Sequence, residues 1–320
     1  MRRPAARVIV AAFASLSVLL TACGPTSETQ RGNADDGIVD VVASTSVYGD
    51  IVSTIGGDKV RVTSLITRTS QDPHSYEAST QDKLAVAKAE LVVENGGGYD
   101  DFLHKLADDT GLDHNRILNA VELSGLVPEG SEAGAPHSAD VHGHDHAGFN
   151  EHVWYSLPAM ARLADEVAAK LGELEPSSAG TFRSNAAAFK EPLGMLEAKL
   201  AGIKASVGQA AAAVTEPVPL YLLEAAGLTN QTPAEYTAAI EEDTDVPPAA
   251  LKAATGLMAS GSIRLLAYNQ QTEGPQTVAV REAAAAAGVP VVNFSETLPE
   301  AKTYLQWMTE NVANIATALA

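Results

Sequence analysis

What most constrains this chain is an alternation of short apolar stretches with helical ones, which runs once, gives way to helix alone, and then restarts. In the first run, residues 39–43 read as a buried strand. A helical stretch follows through Tyr48, Ile51, Val52 and Ile55 and stops at Gly56-Gly57. Residues 60–66 alternate like a strand, and residues 91–93 form a short apolar strand ending in Asn95-Gly96-Gly97-Gly98. Helices are expected at about residues 83–89 and 100–107. In the second run, strands are expected at residues 211–215, 264–268 and 289–294, and helices at 221–226, 248–260, 275–287 and from Glu300 onward. Between the runs lie helical stretches at 158–171 and from Pro176, the second interrupted by Pro192 and Gly194. An interior proline removes a backbone donor and crowds the preceding turn, so two segments or a kink near Glu191 are expected.

The pattern predicts an α/β fold: two β/α lobes with mainly parallel sheets, joined by a helical linker. The expected boundaries are a signal peptide at 1–22, a tether at 23–37, a first lobe at 38–157, the linker at 158–207 and a second lobe at 208–320. Ligands of open α/β sheets bind beyond the carboxyl ends of the strands, which places a site in the cleft between the lobes.

The first residues are read separately from the fold. Arg2, Arg3 and Arg7 precede an apolar run from residue 8 to 20, and Leu20-Thr21-Ala22-Cys23 follows. This order is that of an export signal, and the run is short for a permanent span, which takes about 20 residues. Cys23 is the only cysteine in the chain, so neither an intramolecular disulfide nor a thiolate metal cluster can form within it. Residues 24–37, polar and glycine-containing, read as a flexible tether.

The formal charge is −19; without the three signal arginines, 18 basic residues face 40 acidic ones, or −22. Such a surface repels nucleic acid and anionic lipid and draws cations. A tight metal site would have to use histidine, aspartate and glutamate. Four segments offer these at loops or element starts: Asp72-Pro73-His74, Asn150-Glu151-His152-Val153-Trp154, Thr215-Glu216-Pro217 and Phe294-Ser295-Glu296. Two imidazoles and two carboxylates supply four donors and cancel the charge of a divalent ion.

These segments resemble the zinc- and manganese-type solute-binding proteins of ABC importers over nearly the whole chain after the tether. Asp72-Pro73-His74-Ser75-Tyr76-Glu77 is similar to the family's first histidine motif. Asn150-Glu151-His152-Val153-Trp154 is similar to the second, which usually has Asp-Pro before the histidine. Thr215-Glu216, with Tyr221 and Gly227-Leu228, falls where the family has its third ligand, and Phe294-Ser295-Glu296 where it has its fourth, commonly aspartate. Tyr304, Trp307-Met308 and Asn311-Val312 resemble the closing helix.

The resemblance implies His74, His152, Glu216 and Glu296 as metal ligands, Zn2+ or Mn2+ as the transported ion, and an ABC permease as partner. Leu-Thr-Ala-Cys also resembles the lipobox of bacterial lipoproteins, which implies lipid on Cys23 and a place on the extracytoplasmic face of the cell membrane. His137, His142, His144 and His146 read as a histidine-rich auxiliary metal loop, which tips the expectation toward zinc. His104 and His114 stand outside any such context and receive no role.

A reading from another class is a zinc-dependent hydrolase at the cell surface. That chemistry keeps three protein ligands, a water and a base, and its His-Glu-x-x-His signature is absent from this sequence. Glu151, adjacent to His152, would be its base, although neighbouring residues do not by default face one ligand. A surface adhesin is a third reading, which nothing in the sequence tests.

Overall fold

Val39, Val41 and Ala43 pack into one buried cluster and Val42 into another, so the first strand is covered on both faces. The computed structural model describes residues 37–71, 73–128 and 149–320. Cys23, Asp72 and the loop histidines His137, His142, His144 and His146 lie outside the described residues.

The first sheet has the order β2-β1-β3-β4, with β1 Val39–Thr45, β2 Val60–Ile66, β3 Leu91–Glu94 and β4 Ile117–Asn119. All pairs are parallel, with Val41 beside Leu91 and Val93 beside Leu118. Helices α1 Ser46–Gly56, α2 Thr80–Val86, α3 Asp101–Thr110 and α4 Ala120–Ser124 complete this run. The second sheet repeats the plan in the order β6-β5-β7-β8, again all parallel. Its strands are β5 Ala210–Val214, β6 Leu228–Asn230, β7 Ile263–Asn269 and β8 Val291–Phe294. The remaining helices are α5 Leu157–Leu174, α6 Ala179–Val207, α7 Leu220–Ala225, α8 Ala234–Glu241, α9 Pro248–Met258, α10 Pro275–Ala287 and α11 Tyr304–Leu319.

Several of these elements were hidden in the sequence. Strands β4 and β6 have three residues each, too few to show a period. Strand β5, expected at residues 211–215, is found at Ala210–Val214; four alanines and a valine have little strand preference, and β6 and β7 pair with it on both sides. The last helix begins at Tyr304 rather than Glu300, because Thr303 caps it and forms a capping box with Gln306.

The expected break at Pro192 is absent. Residues of α6 form one helix with Pro192 inside it. Phe182, Ala186, Phe189, Leu193, Leu196, Leu200 and Ile203 are buried along it at helical spacing, and each fully buried large side chain contributes roughly 1.5–3 kcal/mol. Summed along the helix, that burial exceeds the cost of one interior proline, about 3 kcal/mol.

A single apolar cluster takes side chains from β1, α5, α6, β5, β8 and α11, so the two sheets share one core. Polar links cross between them as well. Tyr155 donates to the Ser295 carbonyl at 2.7 Å and Tyr304 to the Trp154 carbonyl at 2.7 Å, while the Tyr304 amide donates to Asp50 at 2.8 Å. No helix of the described residues is long and apolar enough to cross a membrane.

Candidate metal centre

The loops that follow β2, β3, β5, β7 and β8, together with the segment leading into α5, carry the functional candidates. They sit at the carboxyl ends of the strands.

In the first half, the turn after β3 acts as the anchor. Gly96 has φ +77, and a Cβ there would lie 2.2 Å from the Asn119 side chain, so only glycine fits. The turn is held by Asp100, which accepts from the amides of Asn95 at 2.6 Å and Gly96 at 2.8 Å. Asn95 in turn accepts from the Tyr48 hydroxyl and donates to the Glu151 carbonyl at 3.0 Å, fixing the backbone beside His152.

His152 is 1% exposed, and its Nδ1 lies 2.7 Å from Asn150 Oδ1. That contact places the proton on Nδ1 and leaves the Nε2 lone pair for a ligand. Asn150 is itself held, donating to the Pro217 carbonyl at 3.0 Å while its carbonyl accepts from Tyr221 at 2.6 Å. Asn150 therefore orients the histidine, at one of the two positions where the resembled motif usually has Asp-Pro. Burial, and next the charge of His74, push the His152 imidazole well below the usual range, so it is neutral and competent to ligate at pH 7.

His74, after β2, meets this group: its ring centroid is 6.2 Å from that of His152 and 4.9 Å from Tyr99. Its Nε2 lies 4.0 Å from Glu151 Oε1. One donor atom from each of His74, Glu151 and His152 falls within 4.8 Å of the others. Adjacency to His152 therefore does not turn Glu151 away from the cluster, as the sequence reading supposed.

In the second half, Glu216 and Glu296 are 3% and 5% exposed. The side-chain amide of Asn269, at the end of β7, donates to both, at 2.6 Å to Glu216 Oε2 and 2.7 Å to Glu296 Oε1. Thr272 adds a second donor to Glu216. Gln271 accepts from the Glu296 amide at 2.6 Å and fixes that turn. Neither carboxylate is a helix cap: α7 starts at Leu220 and α11 is capped by Thr303.

Glu241, the last residue of α8, links the halves. Its Oε1 is 3.9 Å from His152 Nδ1 and has no hydrogen bond among the described residues. Burial, and then the charges of Glu151, Glu216 and Glu296, raise its pKa to about 9. Burial raises Glu151 to about 7. The structure thus brings His74 together with His152, and Glu216 with Glu296. It adds Glu151 and Glu241, which were not assigned as ligands from sequence. Glu241 did leave a trace there, since Glu241-Glu242-Asp243 puts negative charge at a helix C-terminus, against the helix dipole. Asn269 left none.

The buried and half-buried carboxylates of Glu151, Glu216, Glu241 and Glu296 repel one another until protons or a cation arrive, and a divalent ion accepts both carboxylate and imidazole donors. Fold and site together define a class: two parallel α/β lobes on a shared core, with loops bearing histidine and carboxylate at the carboxyl ends of the strands. Over residues 41–318 the chain matches the family described as zinc-uptake complex component A, periplasmic, and it belongs to that family.

The chain is 32% identical over 196 residues to the manganese-binding lipoprotein MntA of Bacillus subtilis (strain 168), an overlap of 60% of this chain and 56% of the relative. It is 26% identical over 162 residues to the zinc-binding lipoprotein AdcA of Streptococcus pneumoniae, covering 51% of this chain and 32% of that protein. The chain spans about half the length of the first curated relatives it matches, 56% and 54% for the first two. Among solved structures, the periplasmic zinc binding protein TroA from Treponema pallidum superposes with a TM-score of 0.69 at 20% identity, covering 89% of this chain and all of that one. A crystal structure of ZnuA gives 0.68 at 23% identity, with 88% and 100% coverage. At these identities the superpositions speak for the fold.

Proposed function

We propose that the protein captures a divalent transition metal, zinc or manganese, outside the cytoplasm and hands it to an ABC permease for import. His74, His152, Glu216 and Glu296 are the ligands. The observation that carries this reading is the buried His152, neutral and oriented by Asn150, in electrostatic contact through Glu241 with Glu216 and Glu296. Imidazole donors suit zinc, but Glu151 and Glu241 beside the set enrich it in hard oxygen and move the expectation toward manganese. The two relatives quoted above carry one name of each kind.

Lipid on Cys23 holds the protein at the membrane, and His137, His142, His144 and His146 collect metal nearby. A Cys23→Ser variant is expected to leave metal binding unchanged and to lose incorporation of a labelled fatty acid in cells. Retained label would rule out the anchor.

The central test is competition titration with zinc and manganese on the parent protein, Glu216→Ala and Glu224→Ala. Glu224 lies on α7 and is exposed, so its loss is expected to cost no more than about 0.5 kcal/mol. Loss of Glu216 should exceed the roughly 10–100-fold effect typical of residues that only support a ligand. Equal affinities for the two variants would remove Glu216 from the site. The hydrolase reading draws on the same cluster, since Glu151 beside two imidazoles could act as a base. Ester or peptide turnover that disappears in Glu151→Gln would establish it over binding.

A further inference from the structure

His104 and His114, left without a role by the sequence, come together away from the cleft. His104 and Asp108 are four residues apart on α3 and so share a face. Gly111 ends the helix in a left-handed conformation, and the Asp113 side chain caps the turn that carries His114, returning the chain to that face. The two imidazole centroids are 5.3 Å apart, and His114 Nε2 lies 2.9 Å from Asp108 Oδ1. A ring nitrogen of each histidine and an oxygen of Asp108 all fall within 4.8 Å of one another.

Behind them is a buried carboxylate. Glu94, at the end of β3, is 2% exposed; its Oε1 lies 3.2 Å from His104 Nδ1 and accepts from Asn119 at 2.9 Å. Its Oε2 is buried with no hydrogen bond among the described residues. A carboxylate on one ring nitrogen orients a histidine and strengthens it as a metal ligand through the other nitrogen.

We propose that His104, His114 and Asp108 form a second divalent-cation site, beside the edge strand β4, with Glu94 as the residue that positions His104. Three protein donors and open positions for water fit zinc, and two imidazoles among the three favour zinc, copper or nickel over manganese. The side chains are 46%, 64% and 56% exposed for His104, His114 and Asp108, so they can rotate the short distance needed to close on an ion. Exposed, mobile donors must be ordered when the ion binds, which makes this site weaker than the cleft. None of His74, His152, Glu216 and Glu296 belongs to this site, so its failure would leave the proposed function standing.

The test uses the full chain with His137, His142, His144 and His146 replaced by glutamine, which leaves His74, His104, His114 and His152 as the imidazoles. Equilibrium dialysis against zinc is expected to give two bound ions, one tight and one weaker. His104→Gln and His114→Gln should each reduce this to one while leaving the tight ion in place. Glu94→Gln should keep the second ion but weaken it by roughly 10–100-fold. With 15N-histidine labelling, the second equivalent of zinc should shift the ring signals of His104 and His114 in the otherwise unaltered protein. One ion in the starting protein, an unchanged count in the two histidine variants, or ring signals unmoved by the second equivalent would each overturn the site and leave two ordinary ion pairs, His104 with Glu94 and His114 with Asp108.

Discussion

At the scale of single residues, the cleft is organised by amides that hold charged groups in place. Asn95, Asn150 and Asn269 each connect a loop at the end of a strand to a candidate ligand or to the backbone beside one. Asp100 supports the first of these from full burial, and its pKa is raised to about 7 by that burial and by the charge of Glu94. In the unfolded chain the same group would titrate near 3.8. The folded state therefore binds the extra proton between these values, and its contribution to stability is lost as pH rises from the lower to the upper one. Denaturation of the chelator-treated protein should show stability falling over that window, by at most about 1.4 kcal/mol per pH unit from this group. Asp100→Asn should flatten the slope, while losing one of two amide acceptors at a cost of about 1–3 kcal/mol. A slope unchanged in the variant would show that Asp100 does not titrate there.

Elements were legible in proportion to their length and pattern. Strand β2 and helix α10 occupy the residues the sequence assigned, because alternation and a proline-to-glycine frame mark their ends. Helix α6 was misread, since a local rule about proline was outweighed by a stripe of buried side chains contributed by the whole helix. Replacing Pro192 with alanine restores a donor to the helix interior. It should raise stability by up to about 3 kcal/mol in urea or thermal unfolding, with metal affinity unchanged. A loss of stability would mean that α6 is shaped around the proline and that its packing needs the bend.

For the molecule as a whole, the shared core limits how the two sheets can move. Opening a wide cleft would expose apolar surface from α5, α6 and α11 and break the hydrogen bonds of Tyr155 and Tyr304. Small-angle scattering of the chelator-treated and metal-loaded protein should therefore differ little in radius of gyration. Metal should still stabilise the fold, by about 4 kcal/mol at a thousandfold excess over Kd. A contraction of several ångströms on loading would show that the core parts and reseals.

The sequence by itself determined the alternation, and with it two parallel sheets, and it marked His74, His152, Glu216 and Glu296 through their places at loops and element starts. Those signals are local, carried by periodicity and by a few adjacent residues. What only the tertiary structure decided was the company these residues keep: Glu151 turned toward His74, Asn269 shared between two glutamates, Glu241 arriving from the end of α8, and His104 beside His114. Each pairing joins positions set by chain reversal and by the packing of one element on another. Sequence spacing carries no record of distances across the fold.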